Sequence, residues 1–145
     1  MNPLRLLFFA TIMVRIGCPA NLAISTYLKD GFTPTAIASD SEGNVYLAGS
    51  AVIDGDSQTT AAIVAKLDSK ATQYLYLLYL DSAASDHVSG IAIDGLGNAH
   101  ITGWTTNPNF PVVGGGTLGT APVSSSDTRS FVTKLNRKAR WCFRH

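Results

Sequence analysis

Charge is scarce in this chain. Only 14% of its 145 residues are Asp, Glu, Lys or Arg, against a usual share of about 25%, while 46% are hydrophobic. That balance excludes intrinsic disorder, which needs the opposite composition. A net charge of +1 offers no field for nucleic acid. Cys18 and Cys142 are the only cysteines, so the stretch between them has no internal disulfide and no thiolate metal site. The three histidines have no Cys or Glu at ligand spacing, and so form no zinc motif. No Gly-x-x-x-x-Gly-Lys and no strand-linked Gly-x-Gly-x-x-Gly is present. No apolar run reaches the roughly 20 residues that a membrane-spanning helix takes. Beyond Ala23, nothing combines a cap, a helical period and enough length to specify a helix.

What is present is unevenly placed. Six of the 11 basic residues lie near the ends, at Arg5, Arg15, Arg137, Lys138, Arg140 and Arg144, whereas all 10 acids lie between residues 24 and 136. The body is acidic and the ends are basic. Residues 1–23 read as an export signal. Arg5 supplies a positive start, and Leu6 to Val14 supply an apolar core. Small residues at Gly17, Cys18, Ala20 and Ala23 follow, placing cleavage after Ala20 or Ala23. Ile16-Gly17-Cys18 has the look of a lipidation site at Cys18, but Arg15 stands where that pattern wants an aliphatic residue, so lipidation ranks second. The expected location is therefore secreted or cell-envelope.

The body repeats itself. The first copy is Ala36-Ile37-Ala38-Ser39-Asp40-Ser41-Glu42-Gly43-Asn44-Val45-Tyr46-Leu47-Ala48-Gly49. The second is Gly90-Ile91-Ala92-Ile93-Asp94-Gly95-Leu96-Gly97-Asn98-Ala99-His100-Ile101-Thr102-Gly103. Tyr27-Leu28 leads the first copy as Tyr79-Leu80 leads the second. Ile63-Val64-Ala65-Lys66-Leu67-Asp68 follows the first as Phe131-Val132-Thr133-Lys134-Leu135-Asn136 follows the second. The copies are offset by about 54 residues, from Ala36 to Gly90, a period in the range of propeller-type arrays. Each block is a short apolar run between Gly, Asn, Asp or Ser, and so reads as a strand. Asp40 to Asn44 and Asp94 to Asn98 read as tight hairpin connections, in which Asp accepts turn amides and Gly supplies a positive φ. Val45, Leu47 and Ile101 are expected to point inward, with Tyr46 and His100 on the other face. Gly49 and Gly103 are expected to end the second strand where a side chain would crowd a neighbouring blade. Ala62–Leu67 and Tyr74–Leu80 give third and fourth strands. Thr106–Thr128, with Pro108, Pro111, Gly114-Gly115-Gly116, Gly119 and Pro122, reads as a surface loop.

These blocks resemble the SBBP family of bacterial β-propeller repeats, found in secreted and cell-surface proteins. The resemblance rests on Tyr79-Leu80, Gly90 to Gly103, Asn109-Phe110-Pro111 and Phe131 to Asn136. It covers most of residues 24–136. The first copy lacks the Phe-Pro loop and has Val52-Ile53-Asp54-Gly55-Asp56-Ser57 instead. The resemblance implies an all-β fold, an incomplete β-propeller of about two four-stranded antiparallel blades after the signal segment. It implies no shared catalytic set. Blades bury their faces against neighbours, so other propeller blades or copies of the chain are the expected partners, with a protein or carbohydrate ligand at the loops. Residues 137–145 break the composition of the repeat and read as a basic tail, as a gene fragment or frameshift would leave.

The residues that could carry chemistry favour a non-catalytic, structural or binding module. Asp54-Gly55-Asp56-Ser57 spaces carboxylates as calcium loops do, but lacks the third ligand, the fixed Gly and the terminal Glu, so a solvated turn is expected. Asp40 and Asp94 are expected to cap their turns. Ser85-Asp86-His87 holds the residue types of a hydrolytic triad, but triad members meet in space and no Gly-x-Ser-x-Gly elbow is present. His87 is expected to cap a loop and His100 to sit on a strand face. Tyr74, Tyr76 and Tyr79 could stack on a sugar, but their spacing fits core and face packing. No catalytic, cofactor-binding or metal residue is assigned. The alternatives are a piece of a propeller lyase or hydrolase whose site needs further blades, and a non-functional remnant.

Overall fold

A computed structural model describes residues 23–52, 59–80, 85–113, 118–121, 123–124 and 126–139. The signal segment up to residue 22, Cys18, the Asp54–Ser57 loop, Gly114–Gly116, Pro122 and the tail from Arg140 lie outside the described residues. Among the described residues seven strands follow one another: β1 (Phe32–Ser39), β2 (Val45–Val52), β3 (Thr60–Leu67), β4 (Tyr74–Tyr79), β5 (Asp86–Ile93), β6 (Ala99–Thr105) and β7 (Arg129–Leu135). They form two antiparallel sheets, ordered β1-β2-β3-β4 and β5-β6-β7. The fold is all-β, two blades of an incomplete propeller. The second blade has three strands among the described residues where the repeat pattern predicts four.

The repeat in the sequence is a repeat in space. Ile37 pairs with Leu47 and Ala38 with Tyr46; one repeat further on, Ile91 pairs with Ile101 and Ala92 with His100. Both hairpins carry a bulge at the same place, between Pro34 and Ala36 and between Val88 and Gly90. The bulge explains Gly49 and Gly103, and it corrects the expectation for them. Both lie inside their strands rather than at the ends. A Cβ at Gly49 would overlap the Thr33 carbonyl oxygen, and one at Gly103 would overlap that of His87. The crowding comes from the bulged strand of the same sheet, not from a neighbouring blade.

The main core lies between the sheets. Tyr46, Ala48, Ala62 and Val64 of the first sheet meet Val88, Ala99, Ile101 and Phe131 of the second. The other face of the first sheet gathers Phe32, Leu47, Ala51, Ile63, Ala65 and Leu67, with Leu28, Leu77 and Tyr79 against them. The inner strand β3 is thus buried on both faces, which is why Ala61 to Leu67 is an apolar run interrupted only by Lys66, while β1 at the edge stays largely exposed. The expected alternation in β2 is corrected accordingly. Tyr46 is wholly buried and faces the second sheet, while Leu47 packs on the opposite face. Among the described residues the second sheet is covered on one face only, so β6 and β7 alternate between covered and open residues. The segment from Thr106 to Thr128 has no strand or helix among its described residues, as expected for a loop.

Gly49→Ala and Gly103→Ala should each lower stability by about 2–3 kcal/mol, the cost of forcing atoms into filled space. Gly95→Ala should change little, because nothing lies within 4 Å of its Cβ position. Urea unfolding midpoints of the three variants test the difference.

Candidate functional site

The distinctive polar residues of the repeat converge on one end of each sheet. In the β1–β2 connection, Asp40 Oδ1 accepts the backbone N–H of Glu42 (3.0 Å) and of Asn44 (2.9 Å), and Oδ2 accepts the Asn44 side-chain amide at 3.0 Å. Gly43 sits at φ 80° and donates its N–H to the Asp40 carbonyl. The β5–β6 connection repeats this, with Asp94 accepting from Leu96, from the Asn98 backbone and from the Asn98 side chain, and Gly97 at φ 79°. Asp40 and Asp94 therefore cap their turns as expected, and Asn44 and Asn98 lock each cap from the far side.

Each aspartate also takes partners from the second and third strands of its sheet. Lys66 Nζ lies 3.0 Å from Asp40 Oδ2 and 4.7 Å from the centre of the Tyr46 ring. The Tyr46 hydroxyl lies 3.1 Å from Asp40 Oδ2 and 3.3 Å from the Gly97 carbonyl oxygen of the other sheet. In the second sheet, Lys134 Nζ and His100 Nε2 each lie 3.2 Å from Asp94 Oδ2. The two clusters match residue for residue but differ in exposure. The Lys66 and Asp40 side chains are 10% and 8% exposed, and those of Lys134 and Asp94 are 54% and 27%. The turn around Gly97 closes the first cluster; nothing among the described residues closes the second.

Burial alone would push the Asp40 carboxyl up. The Asn44 side chain, the Lys66 ammonium, the Asn44 backbone and the Tyr46 hydroxyl outweigh it and hold the group well below the usual carboxylate range. Asp94 is held low as well, first by the Asn98 side chain and backbone, then by His100 and Lys134 against a smaller burial effect. Burial pushes the Tyr76 hydroxyl up, helped by Tyr46 and Asp40.

Between the two turns lies a groove of about 270 Å³ lined by Asp40, Glu42, Lys66, Leu96, Arg137 and Lys138 among others. At the opposite end the sheets are joined by polar contacts that sequence reasoning missed. The Thr35 hydroxyl donates to the Val88 carbonyl (2.7 Å) and that of Thr60 to the Asp86 carbonyl (3.1 Å), and Ser50 Oγ lies 3.2 Å from His87 Nδ1. Small hydroxyl residues within apolar strands are the only sequence signal for these. His87 is corrected by this geometry: it lies in β5, stacked on Trp104 with 5.6 Å between ring centres, and caps no loop. Its ring nitrogen meets Ser50 rather than Ser85, and as neighbours in a strand Asp86 and His87 project to opposite faces. His100 stands on a strand face, as expected. Tyr76 and Tyr79 pack on the two cores, while the Tyr74 and Tyr79 hydroxyls hold Lys29. Among the described residues, no three His, Cys, Asp or Glu side chains gather as a metal site would require.

Residues 77–111 match the SBBP family model, described as a beta-propeller repeat. This segment is similar to an SBBP repeat. It runs from Leu77 in β4 to Pro111 beyond β6, so the SBBP unit straddles the two sheets and includes the contact between them. No curated protein matches the chain.

Asp40→Ala should cost about 3 kcal/mol, because it leaves the enclosed Lys66 ammonium unpaired; Asp94→Ala should cost less, since Lys134 is open to water. A carboxyl whose folded pKa lies below its unfolded value contributes stability above the unfolded value, about 3.9, and loses it as pH falls. Urea midpoints should hold from pH 7 to about 4 and then drop, and the drop should be shallower in Asp40→Asn.

Proposed function

We propose that the chain is an exported, non-catalytic structural or binding module, which works by packing its blades on other blades and presenting its loops for contact. One observation supports the packing role above the rest. The residues that define the repeat, Asp40, Asn44, Tyr46 and Lys66 with the Gly97 turn set upon them, are engaged in turn closure and in seating one sheet on the next. Their hydrogen bonds and charges are directed at one another. The SBBP match at residues 77–111 agrees with that reading, since it spans the strand–turn–strand unit that forms the seat.

The proposed export rests on residues 1–23, with Arg5, the Leu6–Val14 core and the small residues up to Ala23. The secreted or envelope location follows from it. The loop after β6 is the proposed contact region for a protein or carbohydrate ligand. Val112, Val113, Leu118 and Val123 in that loop are exposed, four apolar side chains held in water on a segment rich in Gly and Pro.

Fusing residues 1–30 to a leaderless alkaline phosphatase, which is active only outside the bacterial cytoplasm, tests export. Activity should appear in the envelope or medium, and Phe8→Arg should abolish it by breaking the apolar core. An intact but inactive cytoplasmic fusion would contradict the proposal.

A further inference from the structure

The two sheets are the same object in different surroundings, and the filled one shows what the open one lacks. Tyr46, Val64 and Lys66 of the first sheet correspond to His100, Val132 and Lys134 of the second. Tyr46 and Val64 are fully enclosed by the second sheet, but Val132 is 79% exposed. Ala92, Thr102 and Ser130 on the same face are exposed too. What covers the first sheet is specific. It is a turn with glycine at positive φ, laid over the aromatic–lysine pair, and behind it a row of apolar residues that includes Ile91 and Ile101.

The chain carries one other turn of this construction among its described residues. Gly43 has φ 80° where Gly97 has 79°, and its N–H bonds to Asp40 at 3.0 Å where that of Gly97 bonds to Asp94 at 2.9 Å. On the same sheet Ile37, the counterpart of Ile91, stands 70% exposed. The turn and the β1 part of the first sheet's outer face, around Ile37, are thus uncovered, as is the second sheet's face around Val132, while Leu47 and Ile63, the counterparts of Ile101 and Phe131, are buried by the chain's own Leu28, Leu77 and Tyr79. The charges agree as well. Glu42 stands on the first turn where Leu96 stands on the second, so a docked first turn would bring a carboxylate to the open Lys134 ammonium. The segment at Leu28 and Lys29 covers the β4 side of the first sheet, where Lys29 is held by the Tyr74 and Tyr79 hydroxyls. The β1 side around Ile37 is left open.

We propose that the open face of the second sheet is the docking site for a second copy of this chain, which binds head to tail and lays its Ser41–Gly43 turn over His100 and Lys134. This rests on the blade-packing part of the proposed function and names its partner. A head-to-tail contact uses two different surfaces, so it propagates until a ring closes. With the two described blades per copy, rings of about 4–8 blades correspond to two to four copies.

Light scattering coupled to size exclusion on the purified full chain tests this, with circular dichroism on each peak. The expected result is a β-type spectrum at two to four times the chain mass of 15.3 kDa. Ile37→Glu and Val132→Glu, both at exposed positions, should each give folded monomers with unchanged urea midpoints. The decisive step is mixing them. Each variant keeps one intact surface, so the mixture should form a one-to-one pair and go no further. A folded monomer of the unaltered chain would overturn the proposal and leave export to its own test. An oligomer that Ile37→Glu does not disturb would also overturn it, because the open face would then be pairing with itself. Void-volume aggregates insensitive to both substitutions would do the same. A chain without β-type spectrum would fail the blade-packing reading itself.

Discussion

The structure turns on the seating of one sheet upon the next through the Tyr46–Lys66–Asp40 cluster. A carboxylate and an ammonium are enclosed at the edge of an apolar interface, a situation that is costly unless every polar atom has a partner. Here Asp40 is met by two backbone amides, the Asn44 side chain, Lys66 and Tyr46. Tyr46 in turn touches the Gly97 carbonyl of the second sheet. The cluster therefore ties the turn of one blade to the turn of the next and fixes how they register. Apolar burial behind it, with Val64, Val88 and Ile101 fully enclosed, supplies the bulk of the attraction. At the far end, Thr35, Ser50 and Thr60 close the contact with hydrogen bonds.

From that constraint follow the different fates of the two sheets. The first is covered by the second sheet on one face and, over its inner strands, by its own Leu28 segment with Leu77 and Tyr79 on the other, which leaves only the β1 side around Ile37 open. The second has one face covered and one open, and its copy of the cluster stands in water. Proposed export and proposed assembly meet at this point. On that proposal, an unfilled blade face would meet other molecules after export and select those that carry the matching turn.

Much of this is legible in the sequence. The repeat, the two Asp–Asn turns, the strand-only architecture and the long loop after β6 are all readable, because turn chemistry and period-two patterning are local. The side of the sheet that each residue faces is not. Tyr46 and His100 occupy equivalent positions, and their alternation with the aliphatic Val45, Leu47 and Ile101 suggests an outward face for both. The facing follows from whether a further sheet is present, which is a non-local fact. Gly49 and Gly103 look like blade contacts because a bulge cannot be seen in one strand alone. His87 looks like a loop residue, since its neighbours Ser85 and Asp86 are turn formers. Its stack on Trp104 and its contact with Ser50 join distant stretches of chain and leave no local trace.

The central claim is that the two sheets form one core rather than two independent ones. Native-state hydrogen exchange tests it most directly, comparing the unaltered chain with Val64→Ala, a truncation in β3 beneath the second sheet. If the account is right, amides of β6 lose as much protection as those of β3, because both open in the same cooperative event. Loss confined to the first sheet, with β6 unchanged, would contradict it.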